Sequence, residues 1–278
     1  MISVSISNIF FAGITSDHDL ESLARCGVSG LEIAPGRVWP DPRVVTQNEA
    51  ERFRQMLERH QVSPSAFHAL TFERPDLTLF SSRQSRLELE DHIVGLGRLA
   101  SFLGCHQLVW GSPTTRSVDQ VSDLASKEKW AIESIDRICE RLSSFGVDLL
   151  LENLWPQQGV WLSGTREILE TIVSLGRSNL GLNLDLRASL EAEDDVRWLT
   201  ESTLRHVRHV HLSDPGLSPP SMLSHAQSTA AQKLSRLDYS GWVALEVRRP
   251  ASLEAANEPK FVEEMVGVAL ALMGGSSL

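Results

Sequence analysis

The sequence predicts a single-domain α/β protein, a (β/α)₈ TIM barrel spanning residues 1–278. Three observations lead there. Short apolar, strand-like runs alternate with longer helical patterns from one end of the chain to the other, the signature of parallel βαβ units. Eight such runs occur, the number that closes a barrel. The G-x-G-x-x-G that marks a doubly wound open sheet is absent. A length of 278 residues suits either one such barrel or two ordinary domains, and no break in composition marks a second domain.

The predicted strands are residues 3–8, 30–34, 65–69, 107–111, 148–153, 181–185, 209–214 and 243–247. The first follows from the alternation in Ile2-Ser3-Val4-Ser5-Ile6, which together with the lack of a basic n-region argues against a signal peptide. Ser16-Asp17-His18-Asp19 and Thr46-Gln47-Asn48-Glu49 carry the spacing of helix N-caps ahead of the first two helices. Gly27, Gly104, Gly146 and Gly176 each follow a helical pattern and precede a strand, where a residue with positive φ is expected. The longest helical pattern falls between Val118 and Phe145, with a charged face suited to solvent. Residues 213–228, rich in Ser and Pro, are expected to form a long loop after the seventh strand, in the position of a specificity loop or lid.

A formal net charge of -10 argues against a surface that recruits nucleic acid by neutralising phosphates and favours a small-molecule partner. Cys26, Cys105 and Cys139 are widely spaced and odd in number, so neither a disulfide framework nor a zinc knuckle is expected, and a reducing, cytoplasmic setting fits. No apolar run reaches the length of a membrane span. The sequence leaves open assembly into a homo-oligomer.

Glu152, Asp185, His211 and Glu246 each stand at or near the end of an apolar run, on strands five to eight, with separations of 33, 26 and 35 residues. In a closed barrel such residues converge at the C-terminal face, and three carboxylates with an imidazole in one place imply a divalent metal. Each has a plainer explanation when taken alone. Glu152 reads as a buried acid tied to an arginine or loop amides, Asp185 as a helix N-cap, His211 as a core histidine and Glu246 as part of a polar barrel layer. Their recurrence once per βα unit favours the joint explanation. Period two also puts His209 on the same side of its strand as His211.

These residues, in this order, resemble the xylose isomerase-like TIM-barrel superfamily, the group of sugar phosphate isomerases/epimerases and family 2 AP endonucleases, and especially its ketose 3-epimerase branch. Leu-Glu-Asn at 151–153, Leu-Asp at 184–185, His-Val-His-Leu-Ser-Asp at 209–214 and Ala-Leu-Glu-Val at 244–247 carry the resemblance. Leu31-Glu32-Ile33-Ala34-Pro35 and Leu108-Val109-Trp110-Gly111-Ser112-Pro113 extend it to the second and fourth strands. The resemblance implies that Glu152, Asp185, His211 and Glu246 ligate one divalent ion, and that Glu152 and Glu246 form the acid/base pair of an epimerase or isomerase. The substrate class it implies is a polyhydroxylated ketone: a sugar, a cyclitol or a phosphate of either. Chemistry agrees, because a proton beside a ketone is too weakly acidic for a free carboxylate unless the enediolate is stabilised. Three oxygen ligands with one nitrogen favour Mn²⁺, with Mg²⁺ or Co²⁺ next.

The chain also departs from that branch. Asp185-Leu186-Arg187-Ala188 lacks the histidine that usually follows the aspartate by three residues, and the Pro215-Gly216-Leu217-Ser218-Pro219-Pro220 loop lacks an expected arginine. Gln157 or Gln158 stands where a glutamate is usual. Different substrate groups are therefore expected, and the sequence offers Glu32, His68, Arg248, Trp110 and Trp155. Arg248 shares the face of Glu246 by period two and suits a phosphate or carboxylate; Arg116, Arg187 and Arg249 are further arginines, and Trp39 a further tryptophan, near strand ends. A lyase on the same metal site, either a dehydratase or an eliminating deglycosidase, is the alternative activity. A non-catalytic barrel subunit is the structural one. The abasic-DNA phosphodiesterase reading fares worst, since Gly111 occupies the strand-four position where that branch needs a histidine.

Overall fold

In a computed structural model of the chain, eight parallel strands close into a barrel in the sequential order β1 to β8. The structure describes residues 2–11, 13, 15–119, 121–155, 159–222 and 225–273, the side chains of 225–228 excepted. The strands are β1 (Ser3–Ser7), β2 (Gly30–Ile33), β3 (Ser63–Phe67), β4 (Gln107–Trp110), β5 (Asp148–Glu152), β6 (Leu180–Asp185), β7 (Val207–Leu212) and β8 (Trp242–Leu245). β1 closes on β8 through Ser3↔Trp242 to Ile6↔Leu245. The main displacement from expectation is in β3, which begins earlier and ends before His68, so that His68 stands just past the strand.

The helices are α1 (Asp17–Arg25), α2 (Gln47–Arg59), α3 (Arg83–Phe102), α4 (Leu124–Ser143), α5 (Thr165–Leu175), α6 (Leu186–Glu191), α7 (Glu201–Leu204), α8 (His225–Arg236) and α9 (Glu258–Leu272). α1 and α2 start with reciprocal capping boxes, Ser16 with Asp19 and Thr46 with Glu49, as their spacing predicts. Gly27, Gly104, Gly146 and Gly176 all have positive φ, the conformation in which a side chain would be strained. α3 equals α4 in length, each with 20 residues, so the 118–145 region does not hold a uniquely long helix. The expected loop over residues 213–228 is shorter than predicted: α8 starts at His225, inside the Ser-rich stretch, because Ala and Gln residues from position 226 sustain a helix. No helix among the described residues is long and apolar enough to cross a membrane. All three cysteines are buried and free.

Alternation along the strands separates two environments. Leu149, Leu151, Leu182, Leu184, Val210 and Leu212 join the large core between sheet and helices. The opposite faces supply a separate small cluster, Ala66, Val109 and Leu150, inside the barrel. The remaining interior is polar: Ser5, Ser7, Glu32, Asn183, Asp185, His209 and His211 are all fully buried there. Register shifts occur at Leu31/Glu32 between β2 and β3 and at Leu182/Asn183 between β6 and β7. Such irregularities re-aim side chains, and here each immediately precedes a polar residue turned into the barrel.

Candidate metal centre

Glu152 ends β5, Asp185 ends β6, His211 lies one residue before the end of β7, and Glu246 follows β8. Parallel closure brings all four to the C-terminal mouth, where one ligand atom from each lies within 4.8 Å of the others. The side chain of His211 is fully buried, and those of Glu152 and Glu246 are 10% and 16% exposed. The site is thus sunk in the barrel but open on its substrate side.

Hydrogen bonding sets the orientation of the imidazole. His211 Nε2 donates to Glu32 Oε1 at 2.6 Å, since an ionised carboxylate can only accept. This leaves Nδ1 to face Glu152 Oε1 at 2.7 Å and Glu246 Oε2 at 3.6 Å, without a hydrogen bond of acceptable geometry. A buried ring nitrogen that faces these carboxylates, and presents a lone pair once deprotonated, fits a cation in their midst. The Glu32–His211 pair is the carboxylate–histidine support that metal-binding imidazoles commonly have. In the absence of a metal, burial works to lower the His211 pKa, but Glu32, Glu152 and Glu246 together raise it well above the ordinary imidazole value. Burial pushes the Asp185 carboxyl up to about 6, against the pull of Arg187.

Each carboxylate is also held by its own neighbours. Asn183 Nδ2 donates to Glu152 Oε1 at 2.9 Å, which leaves Oε2 beside Gly111. A β-carbon at Gly111 would lie 1.8 Å from that oxygen, so glycine makes room for the carboxylate. Asp185 accepts from the backbone N–H of Arg187 at 2.8 Å and of Ala188 at 3.1 Å, and from Arg187 Nη2 at 2.9 Å. Its helix-capping role is therefore real and coexists with its place in the cluster. His68 Nδ1 lies 3.5 Å from Glu246 Oε1, and its Nε2 shares a 2.7 Å hydrogen bond with Ser7 Oγ. Burial opposes protonation of His68, yet the charges of Glu32 and Glu246 raise its pKa.

Beside the cluster is a cavity of about 330 Å³ lined by Glu152, Glu246, His68, Trp155, Arg187 and Arg248, among others. His68, Arg248 and Trp155, named from the sequence, all line this cavity. Glu32 and Trp110 do not line it. Glu32 has no exposure and lies beneath the cluster, 2.6 Å from His211 Nε2, 3.1 Å from His209 Nε2 and 3.8 Å from His68 Nδ1. Burial tends to raise its pKa, but the three histidines hold it well below the ordinary carboxylate range. Trp110 alternates with Val109 and Gly111, which turns its ring to the helix layer, where it is fully buried and donates to Thr115 Oγ1 at 3.1 Å.

Arg116 is also fully buried, so it meets no ligand anion; its guanidinium donates to the carbonyls of Gly111, Glu152 and Leu162. It ties together the loops that carry the site, and burial lowers its pKa to about 10. Arg249 pairs with Glu258, and Trp39 packs on Phe53. Gln157 and Gln158 lie outside the described residues. Asn183, Ser7 and the support given by Glu32 were missed by sequence reasoning. Period two through Asn183 and Asp185 points both residues inward and is the signal available for the first.

No curated protein sequence matches the chain. Among solved structures, a D-psicose 3-epimerase crystallised in the presence of D-fructose is 15% identical, with a TM-score of 0.80, over 99% of this chain and 100% of that one. A 3-keto-D-glucoside 4-epimerase from E. coli is 17% identical, with a TM-score of 0.76, over 96% and 99% of the two chains. A family 2 AP endonuclease from Brucella melitensis is 17% identical, with a TM-score of 0.72, over 93% and 99%. At such identities these likenesses establish the fold alone. The family model for the xylose isomerase-like TIM barrel matches residues 20–265, and the chain belongs to that family.

Proposed function

We propose that the protein is a divalent-metal-dependent epimerase or isomerase acting on a polyhydroxylated ketone, with Glu152 and Glu246 as its acid/base pair. The observation that carries this reading is His211 Nδ1, buried without a hydrogen bond and facing Glu152 and Glu246, with Asp185 in the same cluster. Glu152, Asp185, His211 and Glu246 would hold the ion, Mn²⁺ suiting the donor set best. When bound, it supplies Lewis-acid polarisation of the substrate carbonyl and neighbouring hydroxyl, which makes the adjacent C–H acidic enough to ionise.

The protein groups then divide the proton work. Glu152 and Glu246 come from strands three places apart in the barrel order and reach the cavity from different sides. One carboxylate takes the proton from one face of the substrate, and the other returns a proton to the opposite face, inverting the carbon. Asn183 holds Glu152 Oε1 and leaves Oε2 toward the cavity. His68 holds a proton beside Glu246 Oε1 and steadies that carboxylate between turnovers. The known activities of the similar structures, on D-psicose and on a 3-keto-D-glucoside, are consistent with a carbonyl sugar or a derivative of one.

The test is exchange in D₂O with Mn²⁺-loaded protein and a panel of ketoses and keto-glycosides, followed by NMR and mass spectrometry. Deuterium gained at a carbinol carbon beside the carbonyl, with no loss of water, is the expected result. Loss of water or of an aglycone would make the protein a lyase. Failure to bind Mn²⁺ would overturn the reading altogether.

A further inference from the structure

Below the metal cluster the barrel interior holds a chain of polar contacts that the proton chemistry above does not use. His209 has no solvent exposure, and its ring bridges strands that are not neighbours. Nε2 lies 3.1 Å from Glu32 Oε1 on β2, and Nδ1 lies 3.0 Å from Gln107 Oε1 on β4. The ring stands at 81° to that of His211, with 5.5 Å between centres. Glu32 Oε1 therefore has two imidazoles against it, since it already accepts from His211 Nε2 at 2.6 Å. Gln107 is half-buried at the start of β4, the end of the strand away from the cavity, and its Nε2 donates to the Arg208 carbonyl at 3.4 Å.

One arrangement of protons suits this chain. Burial, helped by the charges of His211 and His68, holds the His209 pKa below the ordinary imidazole value despite Glu32, so the ring carries a single proton. With that proton on Nδ1 and donated to Gln107 Oε1, Nε2 would turn a lone pair on the Glu32 carboxylate; Nε2 has no hydrogen bond of acceptable geometry. Two buried acceptors in contact repel each other in a medium that screens them poorly. The other tautomer places an N–H between Nε2 and Glu32 Oε1 and leaves Nδ1 as an acceptor in need of a donor. A half-turn of the Gln107 amide supplies one, because its nitrogen then takes the place of the oxygen 3.0 Å from Nδ1. Only the long contact to the Arg208 carbonyl is given up.

We infer that Gln107 and His209 are positioning residues of the metal centre: the Gln107 amide nitrogen donates to His209 Nδ1, and His209 Nε2 donates to Glu32 Oε1. Held by this second N–H, Glu32 keeps its oxygen under His211 Nε2, and His211 keeps Nδ1 toward Glu152 and Glu246. This deepens the reading given under Proposed function and rests on it for the metal; the tautomer of His209 stands apart from that reading. Partners outside the ligands of a metal typically matter by about 10–100-fold in affinity, and His209 is one contact further out than Glu32, so the lower end is expected.

Nitrogen NMR of the full chain, metal-free and labelled at its histidine rings, reads the tautomer directly, with His209→Gln assigning the His209 signals. A protonated Nε2 and a bare Nδ1 are expected; a proton on Nδ1, or on both nitrogens, overturns the inference. In Gln107→Glu an acceptor faces Nδ1, which should become protonated, and an unchanged Nδ1 resonance removes Gln107 from the chain. Mn²⁺ titration by electron paramagnetic resonance supplies the second readout. Affinity should fall about tenfold in His209→Leu and stay within about threefold of the parent in His209→Gln, whose amide keeps an N–H for Glu32. No loss in a folded His209→Leu, or an equal loss in both variants, makes His209 mere packing and overturns the inference. The spectrum of the unsubstituted protein decides the tautomer even where a variant fails to fold. The two readings fail separately: the expected tautomer without Mn²⁺ binding sinks the epimerase and leaves the Gln107–His209–Glu32 contacts standing, whereas Mn²⁺ binding with the proton on Nδ1 sinks only those contacts.

Discussion

Replacing Glu32 by glutamine isolates the support beneath the metal centre. Glutamine keeps the volume and one acceptor oxygen, so a change in metal affinity would report the lost charge and the weakened control of the His211 tautomer. Glu32 has no solvent exposure and receives the 2.6 Å hydrogen bond from His211 Nε2. Changes to such outer partners of metal-binding imidazoles typically cost about 10–100-fold in affinity, or about 1.4–2.8 kcal/mol. The same substitution removes the buried counter-charge of His211 and His68, whose pKa values are raised, which by analogy with broken buried ion pairs destabilises the metal-free fold by about 3 kcal/mol. The assay is a Mn²⁺ titration followed by electron paramagnetic resonance, with circular dichroism to establish that Glu32→Gln is folded. A folded variant whose Mn²⁺ affinity stays within about twofold of the parent would refute the assignment of Glu32 as the support of His211.

Three further outcomes are expected. Gly111→Ala places a β-carbon 1.8 Å from Glu152 Oε2, so this carboxylate must shift; D₂O exchange should fall by about 10²-fold with little loss of thermal stability, and unchanged exchange would contradict the stated role of the glycine. Arg116→Met strands the buried carbonyls of Gly111, Glu152 and Leu162; denaturant unfolding should show a loss of about 3 kcal/mol, and a loss below about 1 kcal/mol would mean that these groups find other partners. Metal uptake should release about one proton per ion at about pH 7, because the raised pKa of His211 keeps it protonated in the metal-free protein and Nδ1 must lose that proton to ligate. Affinity should accordingly strengthen as pH rises; calorimetry in buffers of different ionisation enthalpy that detects no release would refute this.

The barrel was legible because most strands are short apolar runs and several helices announce their ends. Ser16, Thr46 and the four positive-φ glycines predict boundaries that the structure reproduces. β3 was placed two residues late since Ser63 and Pro64 look like a turn, whereas they pair with Gly30 and Leu31 on the neighbouring strand. The start of α8 was missed because serine density suggests a loop, and helix formation there depends on packing that composition does not record. The cluster of four was legible from its spacing together with the family pattern it matches, as strand ends of a closed barrel must converge. Depth was not. Whether a residue near the mouth faces the cavity, like His68, or lies under it, like Glu32, depends on the register shift at Leu31/Glu32, which no local pattern in the sequence reports. Trp110 was open to better reading, since alternation with Gly111 already assigns it to the outer face.

The small apolar cluster of Ala66, Val109 and Leu150 inside the barrel has a consequence for how such a protein can change. Most of the hydrophobic stabilisation comes from the outer faces of the strands, while the inner faces, offset by one residue, carry serine, asparagine, carboxylates and imidazoles. Adhesion and reactivity are therefore written on interleaved positions of the same eight segments. A substitution at an inward position such as Asn183 or His209 alters the chemistry of the axis without removing a contact between sheet and helices. New activities can be explored along the inner positions while the outer ones keep the chain folded.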